Sequence, residues 1–237
     1  MSTAPRSWAR GVRSELQARS NPERRSRAAS YFPTELEVYG VAAPKMREVL
    51  RPLARALKKD EPAVVLAVAL AIVDTRVHEA RQIAYELLGG RSDIVVTLDR
   101  TTLEELGEGN DNWASVDGFA VCLAGPAWRD GKVRDADVRR WARSRDRWWR
   151  RTALVSTVPL NVKARGGTGD ARRTLSICEM LVADRDPMVV KALSWALRAL
   201  VPVDARAVET FLGRHGEHVA PLVRREVGAK LRTGKKR

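Results

Sequence analysis

Apolar residues recur along this chain at three- and four-residue intervals, and no run alternates cleanly with polar residues between hairpin turns. Ala80, Ile83, Ala84, Leu87 and Leu88 form one stripe, with Arg81, Gln82 and Glu86 expected to face away. Val189, Leu193, Ala196, Leu197 and Leu200 repeat it. That spacing belongs to amphipathic helices, so the expected fold is all-α. Pro44, Pro62 and Pro187 stand where helices can begin, because proline fits the first helical position. Gly89-Gly90 and Gly166-Gly167 read as stops and loops. The longest apolar run, Ala63 to Val73, falls short of the roughly 20 residues that span a bilayer. It reads as a buried helix.

A weak repeat underlies the helices. Asp74, Asp111, Asp146 and Asp186 are each expected at or just before a helix start, at separations of 37, 35 and 40 residues. Asp146-Arg-Trp-Trp-Arg-Arg151 and Asp186-Pro-Met-Val-Val-Lys191 share an acidic start and a basic residue five positions on. A period of about 40 with two helices per unit marks HEAT-like repeats, which stack into a superhelix with a concave face. A generic helical bundle with Asp caps is the alternative. One domain is expected over residues 1–230, followed by a basic, unstructured tail over 231–237.

The charge narrows the partners. Lys and Arg number 43 against 29 Asp and Glu, a net charge of +14. Such a surface attracts polyanions, nucleic acid above all. Arg129 to Arg151 carries a balance of +6, and so does Arg224 to Arg237. Asp99 to Asp117 instead holds six acids and one Arg. Two cysteines, Cys122 and Cys178, make no disulfide framework and no metal-ligand spacing. Met1 to Arg10 has no apolar core, so it does not read as a signal peptide. The expectation is a cytoplasmic, nucleoid-associated monomer that binds double-stranded DNA, with no membrane, metal or cofactor.

Few segments carry chemistry. Gly166-Gly-Thr-Gly169 lacks the phosphate-loop pattern, His215 and His218 lack further ligands, and no Ser sits in a nucleophile elbow. The seven tryptophans lie among arginines, a mixture suited to stacking beside phosphates, although any single Trp is more often a packing residue. Asn110-Asp111-Asn112-Trp113-Ala-Ser-Val-Asp117 is sharper. Trp113 and Asp117 are four apart and share a helix face. A carboxylate beside an indole presents negative potential to a developing cation. A solvated Asp117 is the plain alternative.

The ordered set of Tyr39-Gly-Val-Ala-Ala-Pro-Lys-Met-Arg47, Trp113-Ala-Ser-Val-Asp117, Trp148-Trp-Arg-Arg151-Thr-Ala-Leu, Lys191-Ala-Leu-Ser-Trp195-Ala-Leu-Arg198 and Ala220-Pro-Leu-Val-Arg-Arg-Glu226 resembles the AlkD family. These are alkylpurine DNA glycosylases built from HEAT-like repeats, and the resemblance covers nearly the whole chain. It implies base excision of cationic N3- and N7-alkylpurines without base flipping. It also implies an active site of Trp113, Asp117 and Trp195, and a phosphate contact at Arg151. Arg198, Lys191, Arg150 and, less securely matched, Tyr31 complete the implied DNA-binding set. Ala114 departs from the pattern, where a polar residue is expected. A non-catalytic DNA-binding relative and a HEAT-like protein scaffold are the alternatives.

Overall fold

A computed structural model describes residues 5–235. Among them the regular structure is helical. No strand forms, and one isolated bridge joins Glu37 to Val77. The chain divides into two compact units, the first ending at Leu123 and the second beginning at Ala124.

The first unit holds α1 (Pro5–Gln17), α2 (Pro22–Tyr31), α3 (Ala43–Ala56), α4 (Pro62–Val73), α5 (His78–Gly89), α6 (Ser92–Val95), α7 (Arg100–Gly107) and α8 (Trp113–Phe119). The long apolar run is α4, packed between α1 and α5, which is why it needs no polar stripe. Val65, Val68, Ala69 and Ile72 are sealed there. Proline opens α2 and α4 and lies in the first turn of α3, and α5 closes at Gly89, with Gly90 as its cap. The α5 stripe is buried as expected.

Arg81 departs from that pattern. Expected to face water, it is buried at 3% exposure. Its guanidinium donates to the Glu108 carbonyl (2.6 Å) and to the Asn110 side-chain oxygen (3.1 Å), which offset the cost of taking a cation out of water. Asp74 is a second correction. It ends α4 as a C-cap instead of starting a helix.

The second unit holds α9 (Gly125–Arg129), α10 (Asp135–Ala142), α11 (Arg147–Val155), α12 (Val158–Asn161), a 3-10 turn (Lys163–Arg165), α13 (Ala171–Met180), α14 (Pro187–Leu200), α15 (Ala205–His215) and α16 (Pro221–Thr233). Within this unit α11 packs between α10 and α14, and α14 also meets α13 and α16. The α14 stripe from Val189 to Leu200 is buried. Gly166 adopts a left-handed φ of 80° after the 3-10 turn, so the Gly166-Gly167 pair is the loop expected. The last helix reaches Thr233, three residues into the tail expected to be unstructured, and Lys236 and Arg237 lie outside the described residues.

Asp146 and Asp186 are true N-caps, accepting the backbone N–H of Trp148 and Met188 at 2.8 Å each. Asp186→Ala should therefore lower the unfolding free energy by about 1 kcal/mol. A urea titration checks this, and an unshifted midpoint would mean that the cap contributes nothing.

Candidate active site

The Asn-Asp-Asn run builds the start of α8. Asn112 is its N-cap, and its side-chain oxygen accepts the Ser115 N–H at 2.9 Å. Asn110 accepts from the Tyr85 hydroxyl and from Arg81, both at 3.1 Å, which ties the segment to α5. Asp111 faces the other way. Its carboxylate accepts the Thr34 hydroxyl and, at 2.6 Å, the Glu35 N–H. Three consecutive polar residues thus fasten α8 to α5 and to the loop that follows α2.

The end of α2 and that loop carry two aromatic rings to Trp113. Tyr31 and Phe32 stand edge-on to the indole, with centroids 5.2 and 6.2 Å away. The Trp113 indole N–H points at the Tyr31 carbonyl at 3.4 Å. Tyr31 is 70% exposed, so its ring is open to a ligand. Phe32 also packs on His78, at 4.8 Å between centroids.

Asp117 is half-buried in the last turn of α8, four residues on from the half-buried Trp113. Gly118 lets α5 approach here. A Cβ at that position would lie 2.2 Å from the Gln82 side-chain oxygen, while the Gln82 amide donates to the Ala114 carbonyl at 3.1 Å. A π-helical turn, Ala120–Ala124, follows α8, and such turns recur at functional sites.

The other expected residues lie in the second unit. Lys191, Trp195 and Arg198 run along one side of α14, since positions four and seven apart share a helix face. Lys191 is exposed and Trp195 half-buried. Arg198 donates to the Ser194 hydroxyl at 3.2 Å and lies 3.5 Å from the Glu226 carboxylate. Burial lowers its pKa and Glu226 opposes that shift. Arg151 is buried and donates to the Met188 carbonyl at 2.5 Å. Arg150 is engaged by the Asp184 carboxylate at 2.7 Å and by the Ser144 and Arg145 carbonyls.

Residues outside the expected set also stand out. Arg140, Arg143 and Arg145 are exposed around the turn between α10 and α11, and among the described residues none pairs with a carboxylate. Beside them the Arg147 guanidinium lies 4.8 Å from the centroid of the half-buried Trp148 ring. The run of arginines was visible in the sequence. Their freedom was not, because it depends on where the acids fold. In the first unit Phe32, His78 and Ser115 carry no local sequence signal for a related reason, since their partners are 37 to 81 residues away.

A model of the family described as DNA alkylation repair enzyme matches residues 12–231. No curated protein was found to match the chain. Among the described residues no helix is long and apolar enough to cross a membrane.

Proposed function

The chain belongs to the DNA alkylation repair enzyme family, and from that premise we propose that it is a DNA glycosylase for purines alkylated at N3 or N7. The observation that carries this reading is the placement of Trp113 and Asp117 one turn apart on α8, its first turn braced by Asn112, Ser115 and the Tyr31–Phe32 rings.

A purine alkylated on N3 or N7 is already a cation and a good leaving group, so no general acid has to protonate it. Breaking the N-glycosidic bond leaves an oxocarbenium-like sugar. Asp117 stabilises that cation and orients the attacking water. Water adds to C1′, the bond to the purine breaks with its electron pair, and the proton of the water is lost. At about 4 Å and an effective dielectric near 20, the charge pair is worth about 4 kcal/mol. Confined to the transition state, that is roughly a thousandfold in rate. Trp113 adds a cation–π contact of about 1–2 kcal/mol when desolvated. Trp195 is assigned a deoxyribose contact, and Arg151, Arg198, Lys191, Arg150 and Tyr31 contacts to the DNA backbone. The substrate is double-stranded DNA gripped by its backbone, with the damaged base left in the stack, unlike enzymes that extrude the base. The 40-residue interval between the N-caps Asp146 and Asp186 supports HEAT-like repeats as the scaffold of the second unit.

Incubation with methylated duplex DNA should release free 3-methyladenine and 7-methylguanine. DNA left intact by protein that binds it would overturn the reading.

The α10–α11 turn extends the backbone contact. Lys and Arg contacts to phosphate release counterions, so binding weakens with salt by a slope of about −0.9 per neutralised phosphate. Replacing Arg140, Arg143 and Arg145 together by Gln should flatten that slope by about 2 to 3, whatever the sequence of the duplex. Anisotropy titrations across salt concentrations measure it. An unchanged slope would remove this turn from the interface.

A further inference from the structure

We propose that His78 is a positioning residue for this site: its neutral imidazole accepts the Ser115 hydroxyl and so keeps α8 and Phe32 seated around Trp113. The inference rests on the reading of Trp113 and Asp117 as the reacting site.

The hydrogen-bond geometry assigns the protons. The Asn112 side-chain oxygen accepts the Ser115 N–H, which fixes the orientation of that amide. Its NH2 group, within reach of the Ser115 oxygen and the Asp111 carboxylate at 3.1 Å and of the Thr34 hydroxyl at 3.3 Å, can only donate, so it offers the Ser115 hydroxyl no acceptor. The single Ser115 hydrogen is left for His78 Nδ1, at 2.9 Å. An imidazole nitrogen accepts only when it carries no proton, so His78 is the neutral Nε2–H tautomer. Ser115 is fully buried, out of reach of bulk solvent.

Protonation breaks this arrangement. With a hydrogen on Nδ1, the Ser115 oxygen faces two donors, and its own hydrogen has no acceptor. An orphaned buried donor costs free energy, and the first turn of α8 must shift to relieve it. That turn begins with Trp113.

The surroundings offer the imidazolium no rescue. On its own helix, Glu79 spends its carboxylate on the backbone N–H groups of Tyr39, Gly40 and Val41, at 2.7 to 3.2 Å, and Arg81 is a like charge. Asp111, from the segment before α8, is taken by Thr34 and Glu35. Burial lowers the His78 pKa below its ordinary 6.5, outweighing the pull of Glu79 and Asp111. The fold therefore binds this proton more weakly than the unfolded chain does. Its stability falls as pH drops from about 6.5 towards the folded value, and is held above that window.

The test combines rate and proton. Excision of 7-methylguanine, corrected for spontaneous depurination, is followed against pH for wild type, His78→Asn and Ser115→Ala. Imidazole titration by NMR is run alongside, and three histidines make assignment direct. Wild type should lose up to tenfold per pH unit once His78 protonates. His78→Asn places an oxygen that does not titrate where Nδ1 stood. It should keep its neutral-pH rate within a few-fold and lose the acid limb. Ser115→Ala removes a hydrogen bond that only the neutral imidazole accepts and should raise the His78 midpoint. An acid limb unchanged in His78→Asn, or a His78 midpoint unmoved by Ser115→Ala, would overturn the proposal. Wild-type protein that releases no base would fail the glycosylase reading instead, and the NMR arm would still judge His78.

Discussion

Replacing Asp117 by Asn should lower the excision of 7-methylguanine by about a thousandfold while DNA binding persists. The substitution keeps the size and one acceptor oxygen, exchanges the other for an N–H donor and removes the charge. If the carboxylate stabilises an oxocarbenium ion, the loss falls on the transition state alone, and about 4 kcal/mol corresponds to about three powers of ten. The readout is single-turnover release of the base at saturating protein, beside an anisotropy titration at several salt concentrations. The rate should collapse and the salt slope should hold. A folded variant with near wild-type release would remove Asp117 from the chemistry. A variant that loses binding and rate together would make Asp117 a support for the DNA-contacting surface.

The second large effect concerns the lesion. The proposed site supplies negative potential and π faces, with no groups assigned to read base edges. Selectivity must then come from the positive charge of the damaged base and its weakened glycosidic bond. Cationic N3- and N7-alkylpurines should be released, and neutral uracil or hypoxanthine should not, with rates at least a thousandfold apart. Enlarging the alkyl group should cost little while the charge remains, because no pocket has to close around it. An enzyme that encloses its base would reject the same bulk by steric overlap. The comparison uses small and bulky cationic adducts and neutral bases in one duplex, each corrected for its spontaneous loss. Efficient release of neutral bases, or no release of any bulky cationic adduct, would contradict this account.

Particular residues mark what could be read from the sequence. The α14 stripe, the caps Asp146 and Asp186 and the proline starts follow local rules, since each depends on neighbours within one turn. Trp113 and Asp117 are legible for the same reason, being four apart on one helix. Arg81 defied the local rule because its acceptors, Glu108 and Asn110, lie 27 and 29 residues away. Asp74 fell at the right interval but at the wrong end of a helix, since Asp is as free to follow a helix as to cap one. The His78–Ser115 bond spans 37 residues, and Asp111 reaches back 77 to Thr34. Contacts at that distance leave no periodic trace. The four-residue spacing sets the indole and the carboxylate one turn apart, while the bonds that hold the first turn of α8 become visible only in three dimensions.

The central claim is that the bond broken joins base to sugar. Duplex DNA bearing 7-methylguanine is incubated with the protein, and small molecules and strands are analysed separately by mass spectrometry. The account predicts free 7-methylguanine with its methyl group still attached, in equal amount to abasic sites in the strand. Intact strands in which guanine has replaced 7-methylguanine, with no free base, would mean that the protein removes the alkyl group instead, and would contradict it.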